Sequence, residues 1–159
     1  MGGFVQCRTG YWSERVTRRT IMFAPETRIL VVDDMLTMRK MVKKALTSIG
    51  FSNIVEAPDG EQAWKKVQDA AGLGAPFQLI ISDWNMPNKK GIDLLKDVRG
   101  YEQTKNTPFL LLTAESEKAQ VIEAVTAGVS EYIIKPFNKE GLEVKLQNAY
   151  KKHFGAKAA

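Results

Sequence analysis

The chain of 159 residues carries 23 Lys and Arg against 18 Asp and Glu, a formal net charge of +5, with a single Cys and a single His. It has no apolar run long enough to cross a bilayer, one thiol cannot close an internal disulfide, and a chain of this length buries a core without staples. These bounds lead us to expect one soluble domain in a reducing, cytoplasmic setting, with no membrane insertion and, for want of a concentrated Lys/Arg stripe, no nucleic-acid partner.

Residues 1–24 hold four Arg and one Glu, and so carry +3 of the total. Gly2, Gly3, Gly10, Trp12, Arg15, Arg18 and Arg19 follow neither a helical nor a strand period, which predicts a disordered basic N-terminal extension over 1–24. Met22 offers a natural start. An upstream start is the plainest reading of the extension, with an organelle address or a basic arm as the others; a secretory signal is disfavoured because no apolar stretch follows the basic residues. The folded domain is expected over 25–153, with 154–159 as a short tail.

From Arg28 onward the pattern is regular. Four apolar runs of strand length, Ile29 to Val32, Leu79 to Ile81, Phe109 to Leu112 and Tyr132 to Ile134, and a weaker one from Asn53 to Ala57, mostly lack polar alternation. That suits strands covered on both faces in a parallel sheet. Between the first two in chain order, Met38, Met41, Val42, Ala45, Leu46 and Ile49 recur at three-and-four spacing opposite Arg39, Lys40, Lys43 and Lys44, an amphipathic helix that Gly50 can stop. A second helix starts at Asp59, a capping residue with Gln62 three positions on, and ends in Gly72 to Pro76. Shorter helical patterns fill Ile92 to Arg99, Ser116 to Ala127 and Lys139 to Lys151.

The order is therefore (βα)5, an α/β fold. Right-handed crossovers make it a doubly wound, flavodoxin-like domain with a parallel five-stranded sheet in the order 2-1-3-4-5. In such sheets the ligand crevice lies beyond the carboxyl ends of the strands where the winding reverses, here between the first and third. Those ends carry Asp33 and Asp34, Ser82 and Asp83, Thr113, and Lys135. Two carboxylates about 5 Å apart repel by roughly 3 kcal/mol at an effective dielectric of 20. A divalent cation removes that cost, and oxygen donors without Cys or His favour Mg2+, or Mn2+ in its place. Carboxylates, a hydroxyl and a lysine around such an ion suit phosphoryl transfer, with a strand-end acid as the nucleophile that becomes an aspartyl phosphate.

Each residue alone has a plainer reading. An acid after a strand is most often a cap or turn former, Asp33 and Asp34 resemble a helix-start signal, Thr113 can cap the next helix, and Lys135 before Pro136 can be a solvated loop residue. The joint occurrence at four strand ends is what those readings leave unexplained.

The segments "LVVDD", "SDWNMPN", "LLLTAE" and "YIIKPF" together resemble the signature of response-regulator receiver domains, with the stand-alone chemotaxis regulators as the nearest likeness, over about Arg28 to Tyr150. The resemblance implies that Asp83 is the phosphoacceptor, that Asp34, Asp83 and the backbone carbonyl of Asn85 hold Mg2+, and that Asp33 supports the ion through water. It further implies that Lys135 pairs with a phosphoryl oxygen, Thr113 bonds another, Tyr132 is the readout, and Lys135–Pro136 is a cis peptide. Asn85 and Glu115 would tune the lifetime of the phosphoryl group. Trp84 would report metal binding by fluorescence, although an exposed rim position is the plainer reading of that residue.

For function, the resemblance implies a single receiver domain, not an enzyme beyond its own phosphotransfer and autodephosphorylation. It would be phosphorylated by a sensor histidine kinase and signal by protein contact, the flagellar motor switch being the expected target and a dedicated phosphatase a further partner. A phosphate sink, or a regulator of a non-motor pathway, is the alternative. A dehalogenase-like phosphatase is more distant because Asp83 is followed by Trp84 and Asn85, not by an acid two positions on. A flavin carrier is disfavoured because Asp33 and Asp34 stand where a phosphate-cradling loop is needed. Lys89 and Lys90 depart from the family pattern and read as solvated loop residues or a lure for an acidic partner. His153 reads as a solvent-exposed tail histidine.

Overall fold

The computed structural model describes residues 22–114 and 118–155. Five strands, β1 (Ile29–Val32), β2 (Ile54–Ala57), β3 (Leu79–Asp83), β4 (Phe109–Thr113) and β5 (Glu131–Ile134), alternate with α1 (Leu36–Ile49), α2 (Gly60–Gly72), α3 (Gly91–Gly100), α4 (Lys118–Ala127) and α5 (Lys139–Tyr150). All neighbouring strands pair in parallel, in the order β2-β1-β3-β4-β5, so the sheet has the flavodoxin-like topology that strand–helix alternation predicts.

The unbroken apolar runs are explained by burial on both faces. Side chains alternate across a strand, so Leu30, Val32, Ile80 and Leu111 face one core with Ala63 and Val67 of α2, Leu94 and Leu95 of α3 and Ala124 of α4. Ile29, Val31, Leu79, Ile81, Leu110 and Leu112 face the other with Val42 and Leu46 of α1 and Leu142 and Leu146 of α5. Each such large side chain contributes about 1.5–3 kcal/mol on leaving water, and the two cores together hold the strand ends in register.

Local signals agree with the helix ends. Asp59 caps α2, its Oδ1 accepting from the Gln62 N–H at 2.8 Å, and Asn138 caps α5 by accepting from the Gly141 N–H at 2.7 Å. Gly50, at φ 127°, ends α1. The amphipathic reading of α1 is too broad. Val42 and Leu46 are buried on it and Met38, Ala45 and Ile49 partly so, while Met41 is 52% exposed. The acid pair does not cap this helix either, since Met35 occupies the cap position without a side-chain bond.

Both chain ends of the body extend beyond the expected limits. Phe23, placed by sequence in the disordered extension, is buried, with its ring edge-on to Tyr150 at 5.3 Å and to Phe154 at 6.2 Å. A π-helical turn, Lys151–Gly155, continues α5 and carries Phe154 there, so Phe154 is packed rather than part of a loose tail. Residues 1–21 and 156–159 lie outside the described residues.

His153 is likewise docked, not solvated. The Ser130 hydroxyl accepts from the Phe109 N–H at 3.0 Å, which leaves its own hydrogen to donate to Nε2 of a neutral His153. Burial, then Arg99 and Lys152, pushes the His153 pKa below its ordinary value of 6.5. A base whose folded pKa is depressed stabilises the fold fully above its unfolded value and loses that contribution as pH falls through it. Denaturant titrations of the parent and of His153→Gln from pH 7.5 to pH 5 should therefore show the parent losing more stability below about pH 6.5 than the variant. Parallel pH profiles would mean that the docked imidazole carries no such penalty.

Candidate functional site

Parallel register brings the strand ends to one edge. Val32 pairs with Ser82, Asp83 with Leu112 and Thr113 with Ile134, so Asp33, Asp83, Thr113 and Lys135 emerge side by side. Asp33 is fully buried, Asp83 is buried at the end of β3, and Asp34 is exposed at the mouth. One carboxylate oxygen from each of the three lies within 4.8 Å of the others. The Lys135 ammonium reaches in from β5, donating to Asp83 Oδ1 at 2.7 Å and standing 3.6 Å from Asp33 Oδ2. The Lys135–Pro136 peptide is cis.

One ammonium does not balance three carboxylates. Asp33 Oδ1 accepts from the Met35 N–H at 2.9 Å, but the buried Oδ2 has no hydrogen bond; at 3.6 Å the ammonium is only an ionic neighbour. Burial raises the Asp33 pKa and Asp83 and Asp34 add to it, against the Met35 N–H and Lys135. Burial also raises that of Asp83, and the Lys135 hydrogen bond and charge only partly offset it. Full ionisation therefore costs free energy at neutral pH, and a hard divalent cation among these oxygens would remove the cost. The orphaned Oδ2 and the all-oxygen donor set fit such an ion.

The other residues singled out from sequence are spread around this cluster. The buried Thr113 donates to Gln120 Oε1 of α4 at 3.3 Å. Tyr132 is half-buried on β5, with the Lys145 ammonium 5.2 Å from its ring centroid, and Lys145 is also paired with Glu131 at 3.0 Å. Asn85 is exposed in the loop 84–90. Glu115 lies outside the described residues. Trp84 is not an exposed rim aromatic: it is buried in the core, and its N–H donates to the Leu112 carbonyl at 2.8 Å. Lys89 does not simply solvate its loop, because it is ion-paired with Asp97 of α3.

Several supporting residues carry no sequence signal. Arg39 donates to the Asp33 carbonyl at 2.7 Å and pairs with Glu56 of β2 at 3.3 Å, fixing the backbone that presents the acids. Gly91 lies so close to the Asp83 carbonyl that a Cβ there would collide with it, which lets α3 begin directly beneath the end of β3. The Asn88 side chain reaches Asp59 at the start of α2.

The response regulator receiver domain family matches residues 29–147. The chain is 43% identical over 125 residues to chemotaxis protein CheY-3 of Vibrio cholerae, covering 79% of this chain and 92% of the relative. It is 43% identical over 120 residues to CheY1 of Helicobacter pylori, covering 76% and 94% respectively. The solved structure of V. cholerae CheY4 superposes with a TM-score of 0.70 at 37% identity, covering 78% of this chain and 98% of that one.

The charge imbalance at these strand ends bears on stability. An acid with a raised folded pKa destabilises the ionised fold, and the cost disappears as pH falls toward the ordinary value of 3.8. Asp33→Asn removes the charge at constant shape. Calorimetry in EDTA at pH 7.5 should show its melting temperature raised by about 2–4 °C over the parent. An unchanged or lower value would contradict the imbalance.

Proposed function

The chain belongs to the response-regulator receiver family, and from that premise we propose that it is a phosphorylation-dependent signalling domain acting in chemotaxis. The observation that carries this reading is Asp83 at a strand end, hydrogen-bonded to Lys135 at 2.7 Å and crowded by two further acids within 4.8 Å. A carboxylate so placed is a nucleophile with its charge neutraliser already beside it.

In the proposed reaction an Asp83 carboxylate oxygen attacks the phosphorus of a phosphohistidine on the sensor kinase. The P–N bond breaks, its electron pair stays on the imidazole nitrogen, and that nitrogen takes up a proton. Asp34, Asp83 and the Asn85 carbonyl would hold Mg2+, or Mn2+ in its place, with Asp33 bearing on it through water; when bound it supplies charge neutralisation for the phosphoryl oxygens. Lys135 moves from the carboxylate to a phosphoryl oxygen. Asn85 and Glu115, each two positions along the chain from Asp83 and Thr113, set how long the acyl phosphate lasts.

The phosphoryl group carries about 1.5 to 2 negative charges in place of the carboxylate's one, with new acceptor oxygens further out, drawing Thr113 from Gln120 toward Asp83. The space vacated lets Tyr132 turn inward away from Lys145. That change would be read on the face of α4, β5 and α5, which exposes Ile122, Val125, Ile134 and Val144 and carries a cavity of about 400 Å³ lined by Tyr132, Ile134, Pro136, Phe137 and Lys145. Apolar surface of this kind suits a protein partner. A flagellar motor switch protein is the proposed target, and a dedicated phosphatase a second partner. The likeness to stand-alone chemotaxis proteins, spanning nearly their whole length, supports this and a cytoplasmic location. Among the described residues no helix is long and apolar enough to cross a membrane.

Radiolabelled acetyl phosphate with Mg2+ should label the parent chain to about one phosphoryl group per molecule, with Asp83→Ala and the chelated parent at background. Labelling of Asp83→Ala equal to that of the parent would overturn the assignment. Sustained turnover of a phosphomonoester would favour the phosphatase reading instead.

A further inference from the structure

Asp59 lies far along the chain from the acids of the site, and its sequence signal is only that of a helix cap. The residue is buried, and its carboxylate serves two elements at once. Oδ1 accepts from the Gln62 N–H at 2.8 Å and caps α2, while Oδ2 accepts from the Asn88 side-chain amide at 3.2 Å and from the Gln62 side chain at 3.2 Å. Asn88 belongs to the loop 84–90 that joins the nucleophile strand to α3. It sits at φ 69°, a left-handed conformation that Asn tolerates better than most residues.

The base of that loop is tied by the Trp84 N–H to the Leu112 carbonyl at 2.8 Å and by the Gly91 N–H to the Trp84 carbonyl at 2.9 Å. Its far end is tied by the Asn88–Asp59 bond. Gly60 reinforces that tie: a Cβ there would collide with the Lys89 carbonyl and side chain, so the start of α2 and the loop backbone are in contact. Asn85, whose backbone carbonyl is the proposed third donor to the metal, lies between the two ties and is exposed. The loop that carries it is thus anchored at both ends.

We propose that Asp59 and Asn88 form a clasp that holds the loop 84–90 in the conformation presenting the Asn85 carbonyl to the divalent cation, making both of them positioning residues for the phosphoryl-transfer site. The inference rests on the proposed metal reading, which it deepens. Asp59 is outside the cluster of metal-competent acids found among the described residues, so it acts through the loop. Partners of this kind commonly change metal affinity by about 10- to 100-fold when removed.

Three variants of the full chain separate the clasp from the cap and from the charge. Asp59→Ser keeps a capping oxygen but is too short to reach Asn88. Asn88→Gly keeps the left-handed backbone and removes the amide. Asp59→Asn removes the charge yet can cap with its oxygen and bond a flipped Asn88 amide. Two measurements apply to each: Mg2+ affinity by titration calorimetry, and amide hydrogen exchange of residues 84–90 in EDTA.

Asp59→Ser and Asn88→Gly are expected to weaken Mg2+ binding about tenfold and to speed exchange in the loop, with no further loss in the double variant and with Asp59→Asn close to the parent. Parent-like affinity and exchange in Asp59→Ser and Asn88→Gly overturn the clasp alone. So does a loss in Asp59→Asn equal to that in Asp59→Ser, which would assign the effect to charge. A parent chain that takes up no Mg2+ overturns the metal reading and the inference with it.

Discussion

Two buried carboxylates sharing a single ammonium, with a third at the mouth within 4.8 Å of them, are the constraint on which the rest of this molecule depends. Asp33 and Asp83 are buried because β1 and β3 are adjacent central strands with helices on both faces. Neither can move away from the other without breaking register. The fold thus maintains a negative charge density that Lys135 only partly neutralises, with one carboxylate oxygen of Asp33 left without a hydrogen bond. A region kept at higher free energy than its surroundings is suited to bind a cation, which relieves the repulsion and offsets the further negative charge that a phosphoryl group would bring.

The output side depends on the same geometry. Lys135 and Thr113 reach the site from β5 and β4, and Tyr132 stands three residues before Lys135 on β5. Any new anion at Asp83 competes for the Lys135 ammonium and the Thr113 hydroxyl. The proposed signal is then a choice between two hydrogen-bond arrangements, Thr113 with Gln120 or Thr113 with the phosphoryl group, and the sheet carries it a short distance to the α4–β5–α5 face. No new fold is required.

The parts legible in the sequence are those fixed by local chemistry or by burial on both faces. Strands such as Ile29–Val32 announce themselves because a doubly covered strand admits no polar alternation, and the capping role of Asp59 is visible from Gln62 three residues on. The acids at the strand ends are legible for the same reason: each polar residue interrupts an apolar run at the depth where the crevice lies. Pairings between distant segments escape such reading. His153 finds Ser130 and Asn88 finds Asp59 only once the chain has folded. Trp84 misleads because a residue after a strand end is usually at the rim, whereas here the loop folds back and carries the indole into the core. The apolar stripe of α1 misleads at one position in the opposite sense, since Met41 keeps helical spacing yet faces solvent.

Charge at the strand ends is the quantity on which the mechanism turns, and a carbon-13 NMR titration of the aspartate carboxyl carbons measures it most directly. In metal-free protein the resonances of Asp33 and Asp83 should titrate above the ordinary value of 3.8, and saturating Mg2+ should bring both below it. Ordinary titration of both groups, unaffected by Mg2+, would contradict the account.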